Sequence, residues 1–181
     1  MEGEVSVGGE AGLVYPSRLK PALNANNAYN AAVQRFGDAE FLFEGAERYG
    51  WDNLYTSAIY LAGLGAECMF TAYVLKGAPA AGVDRKHRIM KLVKAGDFAD
   101  LATPGRETEE LNEAIGRIVR YWRNEVRYFD DNAFIRAPSL LNTDPPQGLR
   151  GDLVKRKRDI AVRVLRASRV VKEIGVRKWR T

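Results

Sequence analysis

The chain has 181 residues, of which 46% are hydrophobic, and its formal charge is +5 at pH 7. This length suits one domain with a buried core, and the composition excludes an intrinsically disordered chain. The single cysteine, Cys68, excludes an intramolecular disulfide and a cysteine-based metal cluster.

The N-terminal part of the chain has no helical or β pattern. Residues 1–15 are rich in glycine and lack periodicity, so we expect a flexible tail followed by one domain over residues 16–181. Residues 1–11 have neither the basic nor the apolar region of a secretory signal, and no apolar run has the composition of a transmembrane helix. These features predict a cytoplasmic protein without a membrane-spanning segment.

Apolar residues at spacings of three and four predict five helices, and no alternating pattern indicates a β-strand. The first helix follows Ser17 and ends at Gly50, with a potential break at Gly37. The second covers residues 52–76, and its apolar seam consists of Leu54, Ala58, Leu61, Gly65, Cys68, Ala72 and Leu75. The others cover residues 88–101, 108–128 and 149–174. The sequence therefore predicts an all-α bundle of about five helices.

Positive charge is concentrated in the last helix. Residues 150–181 contain twelve basic and three acidic residues, a net charge of +9, whereas the remainder contains sixteen basic and twenty acidic residues, a net charge of −4. A basic face suits an acidic partner such as RNA, DNA or an acidic protein. The alternative is an ordinary solvated helix exterior, because lysine and arginine also favour helices.

Glu67 is a carboxylate within an otherwise apolar helix, where an ionised group needs a partner. If the second and fourth helices pack antiparallel, Arg123 and Arg127 are candidates for that partner. The pair would either fix the register of the two helices or orient a guanidinium toward phosphate. His87 lies in a charged segment at a helix start, where a capping or surface role is expected.

No P-loop, GxGxxG or HExxH motif occurs in the sequence, and we expect neither a cofactor nor a metal site. Three segments, taken in order and spacing, resemble the HEPN domain family. They are residues 57–75, the sequence His-Arg-Ile-Met-Lys-Leu from His87, and the sequence Tyr-Trp-Arg-Asn-Glu-Val-Arg-Tyr from Tyr121. HEPN domains are helical bundles, usually dimeric, found in toxin–antitoxin and other defence proteins. The resemblance implies the same fold and a homodimer.

Active HEPN proteins are metal-independent endoribonucleases that use an Arg-x(4–6)-His motif. Arg123 and Asn124 match the opening of that motif, but the positions of the histidine are occupied by Tyr128, Phe129 and Asp130. Without a group of near-neutral pKa, the usual proton transfer loses its donor. The resemblance therefore implies a non-catalytic or atypical HEPN-like protein that binds RNA or a nucleotide through Arg120, Arg123, Asn124 and Arg127.

Two other functions remain open on the sequence. The first is an endoribonuclease with a non-standard site composed of Arg123, Arg127, Tyr128 and an orienting Glu67. The second is a protein-interaction module whose partner is a nucleotidyltransferase-like protein or a cognate antitoxin. Its candidate surfaces are the turn-rich connection over residues 130–148 and exposed aromatic residues such as Trp179.

Overall fold

The computed structural model describes residues 23–77, 89–122 and 153–179, and these residues contain five α-helices and no strand. The helices are α1 (Ala25–Tyr49), α2 (Asn53–Gly77), α3 (Ile89–Ala95), α4 (Arg106–Tyr121) and α5 (Leu153–Trp179), with a 3₁₀ turn at Phe98–Leu101. The predicted all-α bundle is confirmed. The predicted N-terminal tail and the connection over residues 130–148 lie outside the described residues.

α1 starts later than the sequence pattern suggested. Asn24 has an extended backbone, and its side chain accepts a hydrogen bond of 2.8 Å from the backbone N–H of Asn27. This cap makes Ala25 the first helical residue. The expected break at Gly37 is absent, because the helix continues unchanged through it. Gly50 ends the helix as predicted, with a φ of 69° that suits glycine.

α2 is the central helix, packed along α1 and also against α5. Its burial extends well beyond the predicted seam: Leu54, Leu61, Cys68 and Leu75 are only partly buried, whereas Ile59, Ala66 and Phe70 are fully buried. By length and composition α2 could cross a membrane, but 61% of its most apolar window is buried inside the bundle. That burial is typical of a core helix.

Glycine lets the neighbours of α2 approach it closely. A methyl group at Gly63 would overlap the indole of Trp122, and one at Gly65 would lie 2.8 Å from the ring of Phe36. The Trp122 indole N–H also donates to the carbonyl of Tyr60 at 3.1 Å. Trp122 is buried, and it thereby anchors the end of α4 on α2.

Two predicted helices end earlier than expected. The predicted helix over residues 88–101 is divided after Ala95, because Asp97 has a left-handed backbone with a φ of 46° and the chain then forms the 3₁₀ turn. Helix α4 ends at Tyr121, since Trp122 is extended at φ −104° and ψ 128°. Ile89, Leu92 and Val93, at spacings of three and four along α3, are buried.

α5 completes the bundle by packing on α1, α2 and α4. Apolar residues at spacings of three and four form a buried stripe along this helix: Ile160, Val164, Ala167, Val171 and Ile174. The helix continues to Trp179, five residues beyond the predicted end. Trp179 is partly buried and stacks on Tyr29 at 4.6 Å, so the expected exposed position of this indole is wrong.

Candidate anion-binding groove

An open groove of about 540 Å³ lies between α4 and α5. Its lining combines four guanidinium groups with one carboxylate, one phenol and one glycine: Glu113, Gly116, Arg117, Arg120, Tyr121, Arg163 and Arg166. The formal charge of these side chains is therefore +3. A concave surface with such an excess of one charge concentrates ions of the opposite sign.

Helix periodicity explains how each wall is built. On α4 the groove residues occupy positions 113, 116, 117 and 120, spaced as i, i+3, i+4 and i+7, which is one stripe of a helix. A separate stripe of α4 is buried in the core, including Leu111, Ile115 and Ile118. On α5, Arg163 and Arg166 flank the buried pair Val164 and Leu165. Packing of the apolar stripes therefore brings the two arginine rows to the edges of one groove.

Two contacts organise the groove. Arg117 donates to the carboxylate of Glu113, one turn earlier on α4. Arg163 Nη1 donates to the hydroxyl oxygen of Tyr121 at 3.2 Å, while the tyrosine itself is buried. A phenol that accepts one hydrogen bond still has its own O–H to donate. The groove therefore offers hydroxyl and guanidinium donors to an oxygen-rich ligand.

Four other cations of α5 form ion pairs with acidic residues of α1 and α4. Arg158 binds both carboxylate oxygens of Glu47 at 2.8 Å, and Arg177 pairs with Glu107. Glu40 accepts from Arg169 at 2.9 Å and from Lys172 at 3.3 Å. Part of the predicted basic face of the last helix therefore consists of ion pairs that join α5 to the bundle.

The groove arginines differ from those cations. Among the described residues, no carboxylate forms an ion pair with Arg120, Arg163 or Arg166, and all three side chains are exposed. Neighbouring like charges repel one another when no counter-charge is present. An anionic ligand in the groove would remove that repulsion.

The structure places two of the residues singled out from the sequence. Arg120, one of the predicted phosphate-binding residues, lines the groove. Glu67 is a partly buried residue of α2 and is not part of the groove lining. The remaining candidates lie outside the described residues: Arg123, Asn124, Arg127, Tyr128 and His87. The expected contact of Glu67 with Arg123 or Arg127 therefore lies outside them as well.

Cys68 has the properties of a structural thiol. Burial, and secondarily the nearby carboxylate of Glu67, raise the pKa of Cys68 to about 11. The thiolate needed for nucleophilic attack is therefore scarce at neutral pH. Within the described ranges, no cluster of three or more His, Cys, Asp or Glu side chains could hold a metal ion.

Sequence reasoning did not select Arg117, Arg163 and Arg166 as one site. Each is a basic residue outside the buried apolar stripe of its helix, and α5 contains many such residues. The distinguishing signal is three-dimensional, because it depends on which cations meet a carboxylate of another helix. The i, i+3 spacings of Arg117 with Arg120 and of Arg163 with Arg166 were visible in the sequence, but the meeting of the two pairs was not.

Comparison of the chain with protein-family models, curated proteins and solved structures gives no significant match. Function is therefore inferred from the groove and from the resemblance of the sequence segments.

Proposed function

We propose that the protein binds RNA, and that the groove between α4 and α5 holds the phosphate groups of the ligand. The observation that supports this most strongly is the convergence of Arg120, Arg163 and Arg166 in one concavity without carboxylate partners among the described residues. Guanidinium groups are well suited to phosphate, because their planar donors match two of its oxygens. The HEPN resemblance supports a role in a toxin–antitoxin or other defence system, with the protein acting as a dimer.

Binding is favoured over cleavage by the chemistry of the groove. Ribonucleolytic proton transfer needs a group whose pKa lies near the working pH. The described lining of the groove contains arginines, one glutamate paired with Arg117, Gly116 and Tyr121, and no imidazole lies among these residues. These groups hold and orient phosphate, and they also stabilise negative charge. Metal-free incubation with RNA tests the alternative: cleavage abolished by Arg163→Ala would establish an endoribonuclease.

The binding proposal is tested by titrating labelled single-stranded RNA at several salt concentrations and following fluorescence anisotropy. Three phosphate contacts give a slope of log K against log salt of about −2, and removal of one contact reduces its magnitude by about 0.7. Arg120→Ala, Arg163→Ala and Arg166→Ala should each weaken binding and lower the slope. Arg106→Ala is the matched control, because Arg106 lies on α4 but outside the groove and its side chain is 90% exposed.

Two results would overturn the binding proposal. One is the absence of RNA binding at low salt, where phosphate contacts are strongest. The other is equal affinity for the wild type and all three groove variants, since RNA would then contact another surface.

A second candidate function, a protein-interaction module, is favoured by exposed aromatic residues near the end of α1. The side chain of Phe41 is 75% exposed, and Tyr49 and Trp51 are more than half exposed while contacting each other at 4.9 Å. Exposed aromatic groups of this kind are frequent at protein interfaces. Light scattering of the wild type and of Phe41→Ala checks this: a dimer that dissociates in the variant supports the interface, and an unchanged mass contradicts it.

A further inference from the structure

Gly116 occupies the centre of the groove-facing stripe of α4, one turn from both Glu113 and Arg120 and next to Arg117. Glycine is a poor choice for the interior of a helix, because it increases the entropy lost on folding relative to alanine. A packing reason for this glycine would therefore be expected.

Packing among the described residues supplies no such reason. A methyl group at Gly116 would meet nothing within 4 Å, and the residue has no left-handed backbone. By contrast, Gly63, Gly65 and Gly175 each face a side chain that a methyl group would strike. Glycine at position 116 therefore leaves the backbone of α4 accessible to a ligand at the middle of the groove.

Open space beside a helical glycine does not by itself define a binding site, as Gly37 shows. This residue is also an exposed helical glycine with nothing within 4 Å of an added methyl group. It lies on α1, away from the groove residues. Gly116 differs because its open backbone lies in the groove lining, together with the arginine pair 117 and 120 on α4 and the pair 163 and 166 on α5. That coincidence points to a ligand that approaches α4 more closely than a side chain would permit.

We propose that the groove accepts a single nucleic-acid strand whose sugar–phosphate chain lies against α4 at Gly116, between the arginine pair 117 and 120 and the pair 163 and 166. This inference rests on the proposed RNA-binding function and specifies the form of its ligand. The groove volume of about 540 Å³ lies within the range of ligand-binding clefts. A single strand is flexible and can bring its sugar–phosphate chain against the backbone of α4 at Gly116, whereas a duplex is a stiff, wide cylinder that follows a concave surface less closely.

The lining residues also indicate which part of such a strand the groove would recognise. Tyr121 is the aromatic residue of the groove, and its ring is buried, with its hydroxyl group held by Arg163. Among the described residues, the groove lining contains no exposed aromatic face for base stacking, whereas stacking platforms are typical of proteins that bind bases. Recognition at this groove is therefore of the backbone, and binding should be insensitive to base sequence.

The experiment compares an end-labelled RNA strand of about twelve nucleotides with its blunt duplex, by fluorescence anisotropy at low salt. The wild type should bind the single strand about tenfold or more tightly than the duplex. Gly116→Leu places a side chain on the groove floor and should weaken single-strand binding by about tenfold or more. Gly37→Leu is the matched control and should bind as the wild type does, since both substitutions replace an exposed helical glycine with a good helix former.

Circular dichroism melting of both leucine variants confirms that each is folded before binding is compared. Equal single-strand affinity of Gly116→Leu and wild type, or a preference for the duplex, would overturn this inference. If Gly116→Leu binds the single strand as the wild type does, or the duplex is preferred, while Arg163→Ala and Arg166→Ala weaken binding, then the groove binds RNA but the RNA does not contact α4 at Gly116. If the arginine variants also bind as the wild type does, the proposed function itself fails.

Discussion

Single glycines determine how closely helices approach α2. Gly63 admits the indole of Trp122, Gly65 admits the ring of Phe36, and Gly175 of α5 faces Met69 of α2. The neighbouring side chains are all buried, at 4% exposure or less. A methyl group at any of these positions has no space to enter, because protein interiors are close-packed.

Gly63→Ala should lower the free energy of unfolding by about 1–3 kcal/mol, since the added methyl overlaps the Trp122 indole and forces it away from α2. Displacement of the indole also breaks its hydrogen bond to the Tyr60 carbonyl. Urea unfolding followed by circular dichroism measures the change.

Gly37→Ala is the control for this substitution, because the same methyl group meets open space there. It should raise the free energy of unfolding by about 0.5–1 kcal/mol through helix propensity alone. Equal stability of the Gly63→Ala protein and the wild type would contradict the described contact between Trp122 and α2.

The helices are held in place by ion pairs as well as by apolar contacts. The carboxylate of Glu47 on α1 accepts from both Arg158 of α5 and the hydroxyl of Tyr55 on α2, so three helices meet at one group. Hydrogen bonds from Arg158 and then from Tyr55 lower the pKa of Glu47. Burial and the bond to this carboxylate raise the pKa of Tyr55 to about 12. This junction fixes the position of α5 relative to the α1–α2 pair.

Arg158→Lys should reduce the free energy of unfolding by about 0.5–1 kcal/mol, because an ammonium group cannot make the two-point contact with Glu47 and the pair is partly solvent-exposed. Guanidinium chloride screens such pairs, so urea is the appropriate denaturant. Arg166→Lys is the control, since no described carboxylate pairs with Arg166 and stability should not change. Equal effects of the two substitutions would contradict a specific role for the Glu47 junction.

At the scale of the whole molecule, α5 is a cationic helix bound to acidic positions of the rest of the bundle. Glu40, Glu47 and Glu107 each have a lowered pKa. For Glu40, burial acts in the opposite direction, but hydrogen bonds from Arg169 and Lys172 outweigh it. For Glu107, the backbone N–H of Thr103 contributes most and Arg177 next, and together they lower the pKa to about 2.

Stability should therefore fall in acid. A carboxyl group whose pKa is lower in the folded state binds fewer protons there than in the unfolded state, so the stabilisation is present above the ordinary value of about 4.5 and is lost below it. For Glu107 the loss should continue to about pH 2. Urea unfolding at about pH 7 and about pH 3 measures this difference.

The triple variant Glu40→Gln, Glu47→Gln and Glu107→Gln is the control for the acid effect. It should be less stable than the wild type at neutral pH and should show a smaller loss between the two pH values, because the titrating groups are absent. An identical pH dependence of the two proteins would contradict the assignment of acid sensitivity to these ion pairs.

The sequence alone determined the helical class and most of the buried stripes of the bundle. Spacings of three and four are a local property, so Leu92, Ile118 and Val164 could be assigned to the core before any packing was known. Helix ends were less predictable: the ends at Ala95 and Tyr121 depend on backbone geometry at Asp97 and Trp122.

Only the tertiary structure decided which charges form the candidate groove. Arg120 was named from the sequence, but Arg163 and Arg166 could not be separated from Arg158 or Arg169 on the same helix. The separation depends on whether a carboxylate from α1 or α4 lies opposite each cation, and that is a contact between residues distant in the chain. Periodicity describes one helix at a time, whereas a groove exists only after two helices have packed together.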